Sequence, residues 1–185
     1  GEFLPNLLFD DPRCVNLYDQ AGMAGLPVLF DMMPQLGGMY GGVDGPGLPR
    51  LERCLRELPQ TAFIGHGPAF WADISAHVPP DQRGGYPTGH VVPGGTVPRL
   101  MAAYPNLWAD LSAGSGHNAL TRDPAFGHRF LDEFQDRLFF GTDICAPTNQ
   151  TPLVEFLREA VEGGHISCET YEKIGWRNAE RLLGL

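Results

Sequence analysis

Two apolar runs in this chain each close on a side chain that can do chemistry: Thr61-Ala62-Phe63-Ile64-Gly65-His66-Gly67 and Leu138-Phe139-Phe140-Gly141-Thr142-Asp143. Ligands of parallel α/β proteins bind at the carboxyl ends of strands, so a His and an Asp placed there point to an active site. The chemistry that suits them is hydrolysis at a metal on a barrel. Such a site needs converging ligands and one open position for water, whose pKa the metal lowers to about 7. An aspartate beside that water can take its proton and later hand it to the leaving group, which is the catalytic role open to Asp143. His66 and Asp143 lie 77 positions apart, so only the fold can bring them together. The plainer alternatives are a buried His66 bonded to a carbonyl, and an Asp143 that caps a helix or pairs on the surface.

The elements that must hold these residues alternate. Strand-like runs occupy residues 26–31, 62–66, 107–111 and 138–143. Helical patterns fall between them. Residues 12–25 carry Val15, Leu17, Tyr18, Ala21 and Ala24 at roughly helical spacing and stop at Gly25. Residues 49–58 put Leu51, Leu55 and Leu58 on one face. A short helix is expected over 98–104. Asp123-Pro124 reads as an N-cap followed by proline in the first turn, Thr151-Pro152 repeats the signal, and residues 167–183 form a last helix. Strands alternating with helices mean βα units and a parallel sheet, here read as one α/β domain over 1–185. Two long glycine-rich loops, 32–49 and 67–98, follow strand ends on the binding face. His90 and His117 are placed in loops on that face, where each either touches substrate or is merely solvated. Cys145, two residues past Asp143, either lines the site or, the reading preferred, is a small buried residue.

Composition excludes several classes. The 185 residues are 43% hydrophobic and 19% charged, with 13 basic against 22 acidic side chains. A net charge of −9 disfavours nucleic acid and anionic membrane as partners. No apolar run approaches the ~20 residues of a membrane span, and the N-terminus lacks the basic region of a signal peptide. Cys14, Cys54, Cys145 and Cys168 have no metal or redox spacing, so reduced thiols in a cytoplasmic protein are the simplest account.

Five segments in order, "GLPVLFD", "LPRLERCLRELPQTAFIGHGPAFW", "YPNLWADLSAGSG", "DRLFFGTDI" and "YEKIGWRNAERLLGL", resemble the amidohydrolase superfamily, closest to its amidohydrolase-2 branch of metal-dependent hydrolases and decarboxylases. The resemblance implies a TIM (β/α)8 barrel with metal ligands at strand ends. It aligns His66 with the sixth strand's ligand, Asp143 with the eighth strand's, "LPVLFD" with the fifth strand, and Glu2 with the end of the fourth. The fifth strand usually ends in histidine; here Asp31 is either a carboxylate ligand in its place or the first polar residue of a loop. The first strand's His-x-His pair is missing, so the chain resembles only the second half of a barrel, about strands 4/5 to 8. A whole barrel takes ~250 residues. The implied metal set is His66, Asp143 and Asp31, the implied cofactor a divalent ion with zinc the first choice, and the implied substrate a small molecule. Two rival readings remain: a catalytically incomplete descendant, and an assembly module that forms a homo-oligomer to cover open sheet edges.

Overall fold

In the computed structural model, which describes residues 7–37 and 41–185, the apolar runs become strands because each alternates between two different environments. Strands β1 (Val28–Met33), β2 (Gly42–Val43), β3 (Phe63–His66), β4 (Leu107–Asp110) and β5 (Leu138–Phe139) form one sheet in the order β2-β1-β3-β4-β5. Every pairing is parallel. Phe30, Phe63, Leu107 and Leu138 are buried on one face of this sheet, beneath the helices. The alternate positions, Leu29, Ile64, Trp108 and Phe139, lie on the opposite face, where Leu29 is 44% exposed. Trp108 stacks on Phe139 with centroids 5.2 Å apart, and the Arg181 guanidinium lies over the Trp108 ring.

Helices fill the crossovers, as parallel pairing requires. They are α1 (Pro12–Met23), α2 (Pro49–Glu57), α3 (Pro68–Ala72), α4 (Thr96–Ala103), α5 (Ala113–Thr121), α6 (Pro124–Glu133), α7 (Leu153–Glu162), α8 (Cys168–Glu172) and α9 (Asn178–Leu183). A π-helical segment, Lys173–Arg177, joins α8 to α9. Prolines open α1, α2, α3 and α6 in the first turn, where their missing N–H has no helical partner to lose. Asp123 caps α6 by accepting from the Phe126 N–H, as its sequence position predicts. Thr151 does not cap α7, whose first turn has no side-chain cap. Behind the sheet a chain of aromatic contacts runs from Phe9 through Phe30, Phe70 and Trp71 to Phe130, with centroids 4.8–6.0 Å apart. These edge-on contacts bind the helical layer to the strands.

Three differences from the sequence reading bear on the site. The segment containing Ala113-Gly114-Ser115-Gly116-His117 is helix α5, not a loop, because its glycines allow close approach: a Cβ at Gly116 would sit 2.3 Å from the Leu111 carbonyl oxygen. β5 stops at Phe139 rather than running to Asp143. The Phe140 N–H donates to the Ile174 carbonyl, and the Asn178 side chain donates to the Leu138 carbonyl at 2.8 Å, so the last helical segments take over that edge. The two stretches expected to be loops also hold regular structure, β2 in the first and α3 and the start of α4 in the second. The ion pair of Arg83 with Asp73 is buried, and Gly47 N–H and the Gly45 carbonyl join the same cluster, tying the loop after α3 to the one after β2. Among the described residues no helix is long and apolar enough to cross a membrane.

Candidate active site

Asp31, His66 and Asp110 sit at or near the carboxyl ends of β1, β3 and β4, and they share the face of Leu29, Ile64 and Trp108. Register makes this happen: Asp31 pairs with His66 across β1 and β3, so both side chains leave the sheet side by side. The His66 Nδ1 lies 2.9 Å from Asp110 Oδ2, and its Nε2 lies 3.9 Å from Asp31 Oδ2. Asp31 is itself buried, with Oδ1 accepting from the Met32 N–H at 2.6 Å. Gly67 makes room for it. This residue has φ +90°, and a Cβ there would fall 2.1 Å from Asp31 Oδ1. Behind Asp110, the Ser112 N–H donates to Oδ1 at 3.0 Å and its hydroxyl donates to Oδ2.

Two carboxylates flank the imidazole and a third, Asp143, acts on it through its charge, and the electrostatics follow. Burial opposes the charged form of His66 and is the largest single influence. The Asp110 hydrogen bond and then the charges of Asp110, Asp31 and Asp143 together outweigh it, so the His66 pKa is raised. A raised histidine stabilises the fold while it is protonated: the contribution is complete below the ordinary value of about 6.5 and disappears as pH rises through the higher folded value. The urea midpoint of the wild type should therefore fall between about pH 6 and about pH 9 by more than that of His66→Gln, whose profile lacks this component. Equal slopes would mean that His66 makes no net proton-linked contribution.

The other expected site residues are distributed as follows. Asp143 lies four positions past the end of β5, exposed, with φ +54°; its charge reaches His66. Glu2 falls outside the described residues. His90 is in a loop, with a 90% exposed side chain 3.3 Å from Asp123, the cap of α6. His117 belongs to α5, is partly buried so that its pKa is lowered, and packs edge-on to Phe156 of α7. Cys145 is exposed rather than buried, and Asn149 accepts from both its backbone N–H and its thiol. Asp110 and Ser112 are the members that sequence reasoning missed. The signal was partly masked: Leu107-Trp108-Ala109 leads to an aspartate, but Leu111 continues the apolar run beyond it.

The donor set can be tested against a divalent ion. An imidazole nitrogen and a carboxylate oxygen are the ligand types that first-row transition ions take, and His66 Nε2 and Asp31 Oδ2 approach one another at strand ends. These two fit. Among the described residues, however, no three His, Cys, Asp or Glu side chains come close enough to hold an ion together.

A parallel sheet with alternating helices defines an α/β fold, here part of a TIM barrel. The chain belongs to the amidohydrolase family (Amidohydro_2), whose profile matches residues 84–185. Two solved structures share the fold. One is a 2,6-dihydroxybenzoate decarboxylase complexed with 2,6-dihydroxybenzoate (TM-score 0.52, 16% identity). The other is a dihydroxybenzoic acid decarboxylase from Polaromonas sp. JS666 with bound manganese and the inhibitor 2-nitroresorcinol (TM-score 0.51, 15% identity). Each similarity covers 97% of this chain but only 57% and 56% of those proteins, so the chain spans little more than half their length. No curated protein sequence matches it.

Proposed function

We propose that the chain carries the His66 side of an active site in a metal-dependent hydrolase or decarboxylase acting on a small molecule. The observation that carries this reading is the convergence of Asp31, His66 and Asp110 at the ends of three adjacent strands. Family membership supports it, and so does the manganese in one structural relative. His66 and Asp31 would hold the ion, with Asp143 reaching in from its loop; manganese and zinc both suit this donor set. When bound, the ion supplies a Lewis acid and an activated water. The rest falls to the chain. His66 would present Nε2 to the ion, and Asp143 is the group that would take the proton of the activated water and later return it. Asp31 keeps positive charge on or beside the imidazole, and Asp110 holds the ring from behind.

The lack of a third close donor favours a second reading, in which this unit is catalytically incomplete and binds or assembles instead. The 44% exposed Leu29 and its neighbours on the inner face would then meet a second copy of the chain in a homo-oligomer. Calorimetric titration with Mn2+ and Zn2+ separates the two. The first reading expects saturable binding of one ion, weakened in Asp31→Ala and in His66→Ala by more than the roughly 10–100-fold that loss of an outer partner costs. Folded protein with no saturable binding would remove the enzyme reading for this chain and leave the second.

A further inference from the structure

The imidazole of His66 is held from behind by two side chains whose hydrogen-bonding capacities leave no choice of direction. An ionised carboxylate only accepts, so the 2.9 Å contact with Asp110 Oδ2 requires the proton of a neutral His66 to sit on Nδ1. Ser112 then fixes the carboxylate itself. Its backbone N–H takes Oδ1 at 3.0 Å, and its hydroxyl takes the oxygen that receives the imidazole N–H. Ser112 is 4% exposed, and its Oγ stands 3.3 Å from His66 Nδ1. The Trp71 indole N–H donates to the Asp110 backbone carbonyl at 3.0 Å, which anchors the end of the strand as well. Gly141 leaves space beside the pair, since a Cβ there would lie 3.0 Å from both Asp110 Oδ1 and Ser112 Cβ.

We propose that Asp110 and Ser112 are positioning residues which lock neutral His66 in the Nδ1–H tautomer and so present the bare Nε2 lone pair toward Asp31. Ser112 orients Asp110, and Asp110 orients the ring. The inference deepens the site reading given above, because the presented nitrogen is the one that would meet an ion or a substrate proton. It concerns the resting protein, however, and its test needs neither. Tautomer control of this kind has large consequences in other enzymes: replacing the orienting Asp of a serine protease by Asn leaves geometry intact but lowers kcat by about 10⁴.

The experiment is long-range ¹H–¹⁵N correlation NMR on ¹⁵N-histidine-labelled full chain, metal-free, at alkaline pH where the imidazole is neutral. The His66 signals are assigned by their loss in His66→Gln. Wild type should show protonated Nδ1 and bare Nε2. In Asp110→Asn the carboxamide can turn its NH2 toward the ring, so the majority tautomer should reverse to Nε2–H. Ser112→Ala should mix the two forms, and Ser112→Thr, which restores a hydroxyl, should return the wild-type pattern. A backbone amide spectrum of each variant shows whether it is folded. A wild-type protein with Nε2–H, or an Asp110→Asn protein that is folded and keeps Nδ1–H, overturns the proposal. If the tautomer behaves as stated while cation titration shows no binding, the functional reading fails alone and the positioning assignment stands.

Discussion

Gly67→Ala should be among the most damaging single-methyl changes in the chain, lowering the free energy of unfolding by about 3–5 kcal/mol. Two penalties combine. An alanine at φ +90° is strained, a cost of order 1–3 kcal/mol. In addition its Cβ would sit 2.1 Å from Asp31 Oδ1, so the carboxylate must move. Asp31 cannot move cheaply: it is buried, and Oδ1 holds the Met32 N–H at 2.6 Å. Urea denaturation supplies the measurement, and Gly25→Ala the control. Gly25 also has positive φ, +68°, but its added Cβ meets nothing within 4 Å. It should therefore show backbone strain alone, about 1 kcal/mol. Equal losses in the two variants would mean that Asp31 does not press on Gly67.

Asp44→Ala is the second large effect, expected to cost about 3 kcal/mol. Asp44 is fully buried and accepts from three backbone N–H groups: Gly45 at 2.8 Å, Arg50 at 3.0 Å and Leu51 at 2.9 Å. Two of these open α2, whose own N-cap position, Leu48, is left-handed at φ +49° and supplies no side-chain bond. Asp44 is thus the cap of α2, delivered from five residues before its first residue. Removing it orphans buried donors, and each such hydrogen bond to a charged acceptor is worth roughly 1.5–3 kcal/mol. Asp44→Asn retains one acceptor oxygen and should cost about half as much. Thermal unfolding followed by circular dichroism would rank the three proteins, and a loss in Asp44→Ala no larger than a typical surface change of about 0.5 kcal/mol would refute this capping role.

What could be read from sequence alone followed from local chemistry. β1, β3 and β4 were legible because their apolar runs are short and bounded by turn residues, α1 and α2 because their apolar residues recur at helical spacing, and α6 because an aspartate cap and a proline mark where it begins. α5 was not legible. Gly114, Ser115 and Gly116 favour a turn on their own, and the helix forms because small residues let it sit against the Leu111 carbonyl. β2 is two residues long and exists through its neighbours, β1 and the bridge from Leu8. The Asp44 cap acts across a left-handed turn that no capping pattern describes. Within the site, His66 and Asp31 stood out as polar ends of apolar runs. Asp110 was hidden because Leu111 continues the apolar run past it, so the aspartate looked interior to a strand. Asp143 was expected on the sheet because Phe140 extends the apolar run, yet the Phe140 N–H is claimed by the Ile174 carbonyl and the strand ends early.

The in-register pairing of Leu29 with Ile64, and of Ile64 with Trp108, ties chemistry to arithmetic. Asp31, His66 and Asp110 each stand two places after one of these inner-face residues, so the cluster exists by parity. Losing one residue inside β3 would carry His66 round into the layer of Phe30 and Leu107, away from both carboxylates. Losing two would bring it back to the proper side, one step short. Length change in these strands is therefore not graded: odd steps erase the cluster and even steps only displace it. Relatives that keep the chemistry should differ across β1, β3 and β4 by substitution or by pairs of residues, while single insertions collect in the loops beyond the strand ends.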